Sequence, residues 1–175
     1  MKTNRTKLAP ATRRLVAEVY GRLDYGALGP IYCYEGGDEF WRAKRGLCHR
    51  LGNRVAVLLR KKLPRHGRSL YVGAGVAELP ALIMETMERD RVVEPYNLRR
   101  TEVVTLNRAC RSVPVTFRAV DAGRAKGLFD HLWMVSVLND PERFPHLSPL
   151  SYGRSNPLTL DPVKFNRERR IVRAL

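Results

Sequence analysis

The sequence is short of cysteine, of carboxylates and of long apolar runs. Its 175 residues hold three cysteines, Cys33, Cys48 and Cys110, too few and too scattered for the disulfide framework of a small secreted domain. A reducing, cytoplasmic setting is the expectation. No stretch approaches the roughly 20 consecutive apolar residues of a membrane-spanning helix. Met1 to Lys7 is basic and polar, without the apolar core of a secretory signal, so no membrane association is expected. Cys48-His49 is adjacent rather than ligand-spaced, which argues against a metal site there. Neither a G-x-x-x-x-G-K-[ST] phosphate loop nor a G-x-S-x-G nucleophile elbow occurs. Carboxylates are outnumbered by 32 Lys and Arg to 17 Asp and Glu, a net charge of +15. Such charge attracts phosphate backbones, making nucleic acid a candidate partner, but it is spread along the chain, as on any wet surface.

What is present organises around Ser69 to Leu79. A short apolar run, Leu70-Tyr71-Val72, ends in Gly73-Ala74-Gly75 and gives way to apolar residues at helical spacing: Leu79, Leu82, Ile83, Thr86, Met87. Strand, glycine turn and helix together make a ligand site. Glycine permits a tight turn and close approach to the backbone, and the helix presents unpaired N–H groups and the positive end of its dipole.

In chain order, residues 1–10 read as a flexible basic arm, 11–63 as an N-terminal helical segment and 64–175 as an α/β core, one domain overall. Leu15, Val16, Val19 and Leu23 predict a helix that stops near Gly26, Gly29 and Pro30, followed by a loop or capping turn, Ile31 to Tyr34. Asp38 reads as the N-cap of a helix to about Leu63, with an apolar stripe of Trp41, Leu47, Cys48, Leu51, Val55, Leu58 and Leu59. After the glycine turn, a strand over Arg91–Glu94 and a turn through Pro95-Tyr96-Asn97 are expected. A helix from Thr101 follows, with Val103, Val104, Leu106 and Cys110 inward. Val115–Val120 alternates as a third strand, and Leu132–Leu138 reads as a fourth, covered on both faces. Asn139 to Pro162 should be largely loop. A last helix spans Asp161–Leu175, with Val163, Phe165, Ile171, Val172 and Leu175 as its apolar side.

From about Ser69 to Asp140 this order of features resembles a class I S-adenosylmethionine-dependent methyltransferase. The resemblance implies a Rossmann-like α/β fold, with a mostly parallel sheet, helices on both faces and an N-terminal helical cap. It implies S-adenosylmethionine as cofactor, held by Gly73, Ala74 and Gly75 at the first motif and by Asn97 and Leu98 after the second strand. Asp121 and Ala122 would meet the adenine, and Ser136 would lie near the transferred methyl. Asn139, Asp140, Tyr32 and Tyr34 are candidates beside the methyl; the methyl acceptor is not implied.

Three departures accompany the resemblance. Tyr71 stands where the family commonly has an acid, and Asn97 replaces the ribose-binding carboxylate, with Glu94 as a stand-in should the strand end early. The sheet also lacks the family's C-terminal strands, which exposes an edge through which copies could self-associate. A dinucleotide fingerprint would want glycine where Glu78 stands. The alternative from another class is a non-catalytic or truncated module that keeps the scaffold and binds nucleic acid or a partner protein.

Overall fold

Pro10 opens the first helix, α1 (Pro10–Arg22), at a position where its missing N–H costs nothing. The computed structural model of the chain describes residues 7–32, 37–135, 146 and 161–173. The arm expected up to Pro10 is anchored from Lys7 onward. Leu8 is buried, the Ala9 N–H donates to Glu88 Oε1 at 2.8 Å, and the Lys7 carbonyl accepts from Arg60 at 2.9 Å.

The expected single helix ending near Gly26 to Pro30 is instead two. The chain turns extended at Leu23, and Asp24 Oδ1 accepts the Ala27 N–H at 3.0 Å, capping α2 (Tyr25–Tyr32). Gly26, Gly29 and Pro30 lie inside α2, and Ile31-Tyr32 form its last residues rather than a loop. This cap and the complete burial of Leu28 outweigh the helix-breaking residues. Cys33 and Tyr34 lie outside the described residues.

In α3 (Gly37–Lys62), Asp38 falls within the first turn rather than before it. The buried side is Trp41, Gly52, Ala56 and Leu59, with Cys48 and Val55 partly covered; Leu47, Leu51 and Leu58, expected in the core, are exposed. Gly52 decides the orientation. A Cβ there would stand 2.4 Å from the Ala77 carbonyl oxygen and 3.1 Å from Pro80, so this bare position admits the start of the next helix.

That helix, α4 (Leu79–Arg89), follows β1 (Arg68–Val72). Its inner face holds Leu79, Leu82 and Ile83 as expected, but Met84 and Glu85 are buried and Met87 is exposed. The second strand, β2 (Val92–Tyr96), runs through Pro95 and Tyr96, which were expected to turn. It pairs with β1 in parallel, Tyr71 opposite Pro95 and Val72 opposite Tyr96. Glu94 therefore lies mid-strand, ion-paired with Arg68, and cannot stand in for Asn97.

Helix α5 (Arg100–Ala109) buries Val103 and Leu106, while Val104, expected inward, is exposed. The expected third strand is reduced to a single parallel bridge, Tyr96 to Arg118. Its alternation survives: Val115 and Phe117 are buried, Thr116 and Arg118 exposed. The fourth expected strand is β3 (His131–Met134). Leu132 is exposed and Trp133 only half-buried, so β3 is not covered on both faces; Val137 and Leu138 lie outside the described residues.

The named strands form a small open three-stranded parallel sheet, order β2-β1-β3. The protein is thus α/β. Ser69 and Tyr71 of β1 are buried towards α4, whereas Leu70 and Val72 on the other face are half-buried.

The chain divides into two compact units, Met1–Trp133 and Met134–Leu175. In the second, α6 (Pro162–Arg173) is capped by Asp161 Oδ1, which accepts from the Val163 N–H at 3.0 Å and the Lys164 N–H at 3.2 Å. Val163 and Ile171, expected on an apolar side, are exposed, and Glu168 is the buried residue. Asn139 and Asp140 are outside the described residues, as is Leu175.

Candidate functional site

The carboxyl ends of β1 and β2 and the 115–118 segment meet at the glycine turn, where open parallel sheets place their ligands. Gly73 has φ of 69°, a left-handed conformation that a side chain would strain. The turn is fastened to its neighbour: the Ala74 N–H donates to the Tyr96 carbonyl at 3.0 Å. Asn97 Nδ2 donates to the Ala74 carbonyl at 2.9 Å, and Asn97 Oδ1 accepts the Arg99 N–H at 2.8 Å. The next extended segment joins through the Asn97 N–H, which donates to the Arg118 carbonyl at 3.0 Å.

Glu78 closes the other side of the turn. Its Oε2 accepts the Gly75 N–H at 2.9 Å, and its Oε1 accepts from Trp133 Nε1 at 3.4 Å. Burial raises its pKa, opposed by these donors. One N–H that a glycine turn offers to a phosphate is therefore occupied by a carboxylate of the protein itself.

Of the expected site residues, Gly73, Ala74, Gly75 and Asn97 are brought together. Gly73 is exposed, and Ala74, Gly75 and Asn97 are buried. Leu98, next to Asn97, is exposed. Asp121 Oδ1 accepts the Gly123 N–H at 2.9 Å, capping the short 3₁₀ turn Ala122–Arg124. Ser136 lies outside the described residues, and the side chains of Tyr32 and Tyr34 are likewise not described. No group of three or more metal-ligating side chains occurs among the described residues. No described helix is long and apolar enough to cross a membrane.

A second polar cluster joins β1, α4 and the starts of β2 and β3. Glu85, fully buried on α4, accepts hydrogen bonds from Ser69 and from the Tyr71 hydroxyl. Arg91 Nε lies 3.0 Å from Glu85 Oε2, both side chains without exposure, and Arg91 also pairs with Asp130. His131 Nδ1 is 3.6 Å from Glu85 Oε1. Burial, reinforced by the Glu85 charge, pushes the Tyr71 hydroxyl pKa up. The bond from Arg91 holds Asp130 below the ordinary carboxylate range, and burial lowers the His131 pKa. Ser69, Arg91, Asp130 and His131 stand at or just before the amino ends of their strands, away from the glycine turn. The cluster's work is structural: it ties three strands and a helix together while satisfying a buried charge pair. It also explains Tyr71, whose hydroxyl binds Glu85 where the resembled family has an acid. The one sequence signal for it is a carboxylate, Glu85, two residues after Ile83 in an otherwise apolar helix face.

Comparison with protein-family models, with curated proteins and with solved structures finds no match.

Proposed function

We propose that the glycine turn binds S-adenosylmethionine and that the protein transfers its methyl group to an acceptor. The observation that carries this reading is the Glu78 carboxylate bonded to the Gly75 N–H. A strand–glycine turn–helix unit serves several nucleotide-like cofactors, most of which bring a pyrophosphate to the helix start. A carboxylate already in the turn repels that pyrophosphate and attracts a cation. S-adenosylmethionine carries a sulfonium, an ammonium and a carboxylate but no phosphate, so its net charge is positive and suits this donor set. The order of extended segments, 115–118, β2, β1, β3, is that of the first half of a Rossmann-like sheet plus its switch strand, which supports the finer fold assignment. When bound, the cofactor supplies an electrophilic methyl: its carbon–sulfur bond breaks, the sulfur keeps the electron pair, and the acceptor forms the new bond. The turn's part is to hold the cofactor and to exclude water from it.

A second reading is favoured by Asn97 and Asp121. Both side chains are engaged with the protein's own backbone, as in a scaffold that has given up catalysis and binds nucleic acid or a protein through its basic surface.

Calorimetric titration with S-adenosylmethionine, its demethylated product and a nicotinamide dinucleotide separates these readings. Saturable heat with the first two and none with the third is expected. Absence of heat and of any thermal shift with all three at millimolar ligand would remove the cofactor reading, and salt-dependent RNA or DNA binding would then support the second.

A further inference from the structure

Helix α3 turns a second apolar side outward. Leu47, Leu51 and Leu58 are each just over half exposed. At about 100° per residue they lie within an arc of about 40°, and they run along about 16 Å of the helix. Gly52, packed against Ala77, stands about a third of the way round, so the leucines take no part in the contact with α4. Single exposed leucines are ordinary; three on one line of one helix make a patch of the kind that marks a contact surface.

The charge around this line is of one sign. Arg50, Arg54 and Lys61 follow one edge of it and Lys62 the other. All four are exposed, and none forms an ion pair or side-chain hydrogen bond among the described residues. Arg60, by contrast, is pinned to Glu88 and belongs to the packing with α4. From Trp41 to Lys62 the helix contains no Asp or Glu. Asp38 and Glu39, at its start, precede Leu47 by more than two turns, too far along the helix to neutralise these cations.

Leu47, Leu51, Arg54, Leu58 and Lys61 follow one another at alternating steps of four and three residues. That is the narrow seam of paired helices, whereas a helix lying in a lipid surface presents a broad apolar face. A nucleic acid would take the cations and leave the leucines in water. A second copy would set one cationic edge against another, and residues 134–175 also carry more Lys and Arg than Asp and Glu. We propose that this seam takes an acidic amphipathic helix of a partner protein. Its apolar side chains would cover Leu47, Leu51 and Leu58, and its flanking carboxylates would reach Arg50, Arg54 and Lys61. So short a seam lies at the small end of specific interfaces, and a transient contact of micromolar strength is expected. The proposal stands under either reading of the glycine turn.

The probe is a fluorescein-labelled synthetic helix of three heptads, with leucine at the seam positions and glutamate at the flanking ones, titrated with the full chain and read by anisotropy. Saturable binding is expected. The same helix with lysine for glutamate, or with alanine for leucine, should bind at least tenfold less tightly. L47Q/L51Q/L58Q should weaken binding of the acidic helix at least tenfold. R50E/R54E/K61E should lose the acidic helix and gain the lysine one, a reversal that misfolding cannot produce. All six positions are exposed, so thermal melts of both variants should match the parent's. No saturable binding of the acidic helix would overturn the proposal. So would binding that the alanine helix equals or that L47Q/L51Q/L58Q leaves intact, which is charge attraction alone. Leucine-dependent sedimentation with phosphatidylserine vesicles, or a leucine-dependent dimer of the chain, without binding of the acidic helix would overturn it too and assign the face to a membrane or to a second copy. No arm of the test uses S-adenosylmethionine, so failure of the cofactor reading leaves its outcome unchanged.

Discussion

Asn97 Nδ2 donates to the Ala74 carbonyl oxygen at 2.9 Å, so the side chain at the end of β2 holds the glycine turn in place. The resembled family commonly has a carboxylate here. Restoring it should harm the protein, because N97D sets a carboxylate oxygen against a carbonyl oxygen with no proton between them. A loss of about 1–3 kcal/mol at neutral pH is expected in urea unfolding, the cost of a buried acceptor left without its donor. The loss should shrink as pH falls and the new carboxyl gains a proton that it can donate to Ala74. Equal stability of N97D and the parent at pH 7 would show that the bond does not hold the turn.

The Arg91–Glu85 pair is buried on both sides. R91M leaves the Glu85 charge without its cation and should cost about 3–5 kcal/mol, whereas E85Q/R91M, which removes both charges but keeps acceptors for the Ser69 and Tyr71 hydroxyls, should be less damaging. Chemical denaturation of the two variants tests this, and a double variant as unstable as the single one would mean that the cluster's shape, not its charge pairing, is what matters.

Gly52 is where α3 meets the start of α4. The Cβ of G52A would lie 2.4 Å from the Ala77 carbonyl oxygen, which is backbone and cannot rotate away. The two helices must part, at a cost of about 1–3 kcal/mol. Because Ala77 adjoins Glu78, the variant should also weaken the S-adenosylmethionine binding proposed above. An alanine variant with the parent's melting temperature would contradict the crossing.

His131 has its pKa lowered from 6.5, chiefly by burial, so the folded state takes up its proton less readily than the unfolded chain. The stability this represents is intact above pH 6.5 and is lost as pH falls from there through the folded-state pKa. H131N should flatten that part of the stability–pH curve, read as urea midpoints at closely spaced pH values. An unchanged slope would assign the pH dependence to another group.

The strand–glycine turn–helix unit over 68–89 was legible in the sequence because every signal for it is local. An apolar run, two glycines and a helical period lie within one stretch, and the structure places β1, the turn and α4 there. The alternation at Val115 to Arg118 was legible for the same reason, although it yields one bridge rather than a strand. The helix break at Leu23 was local too, but the glycines and proline beyond it pointed to a loop where Asp24 caps a second helix.

Tertiary packing decided the rest. On α3, Leu47, Leu51 and Leu58 form one apolar side and Trp41, Cys48, Val55 and Leu59 another. Periodicity cannot choose between them; the missing side chain at Gly52 does, because that is where α4 can approach. Likewise Asn97 is 22 residues from Gly75 in the chain, and only the pairing of β2 with β1 turns its amide toward Ala74. Glu85 would be solvated on an isolated helix. It is buried because Ser69 and Tyr71 of β1 and Arg91, just before β2, converge on it. Local signals marked β1, α3, α4 and α5, but not α2, the end of β2 or the reduction of 115–118 to one bridge. Where each polar side chain found its partner depended on residues distant in sequence, and so on the folded chain.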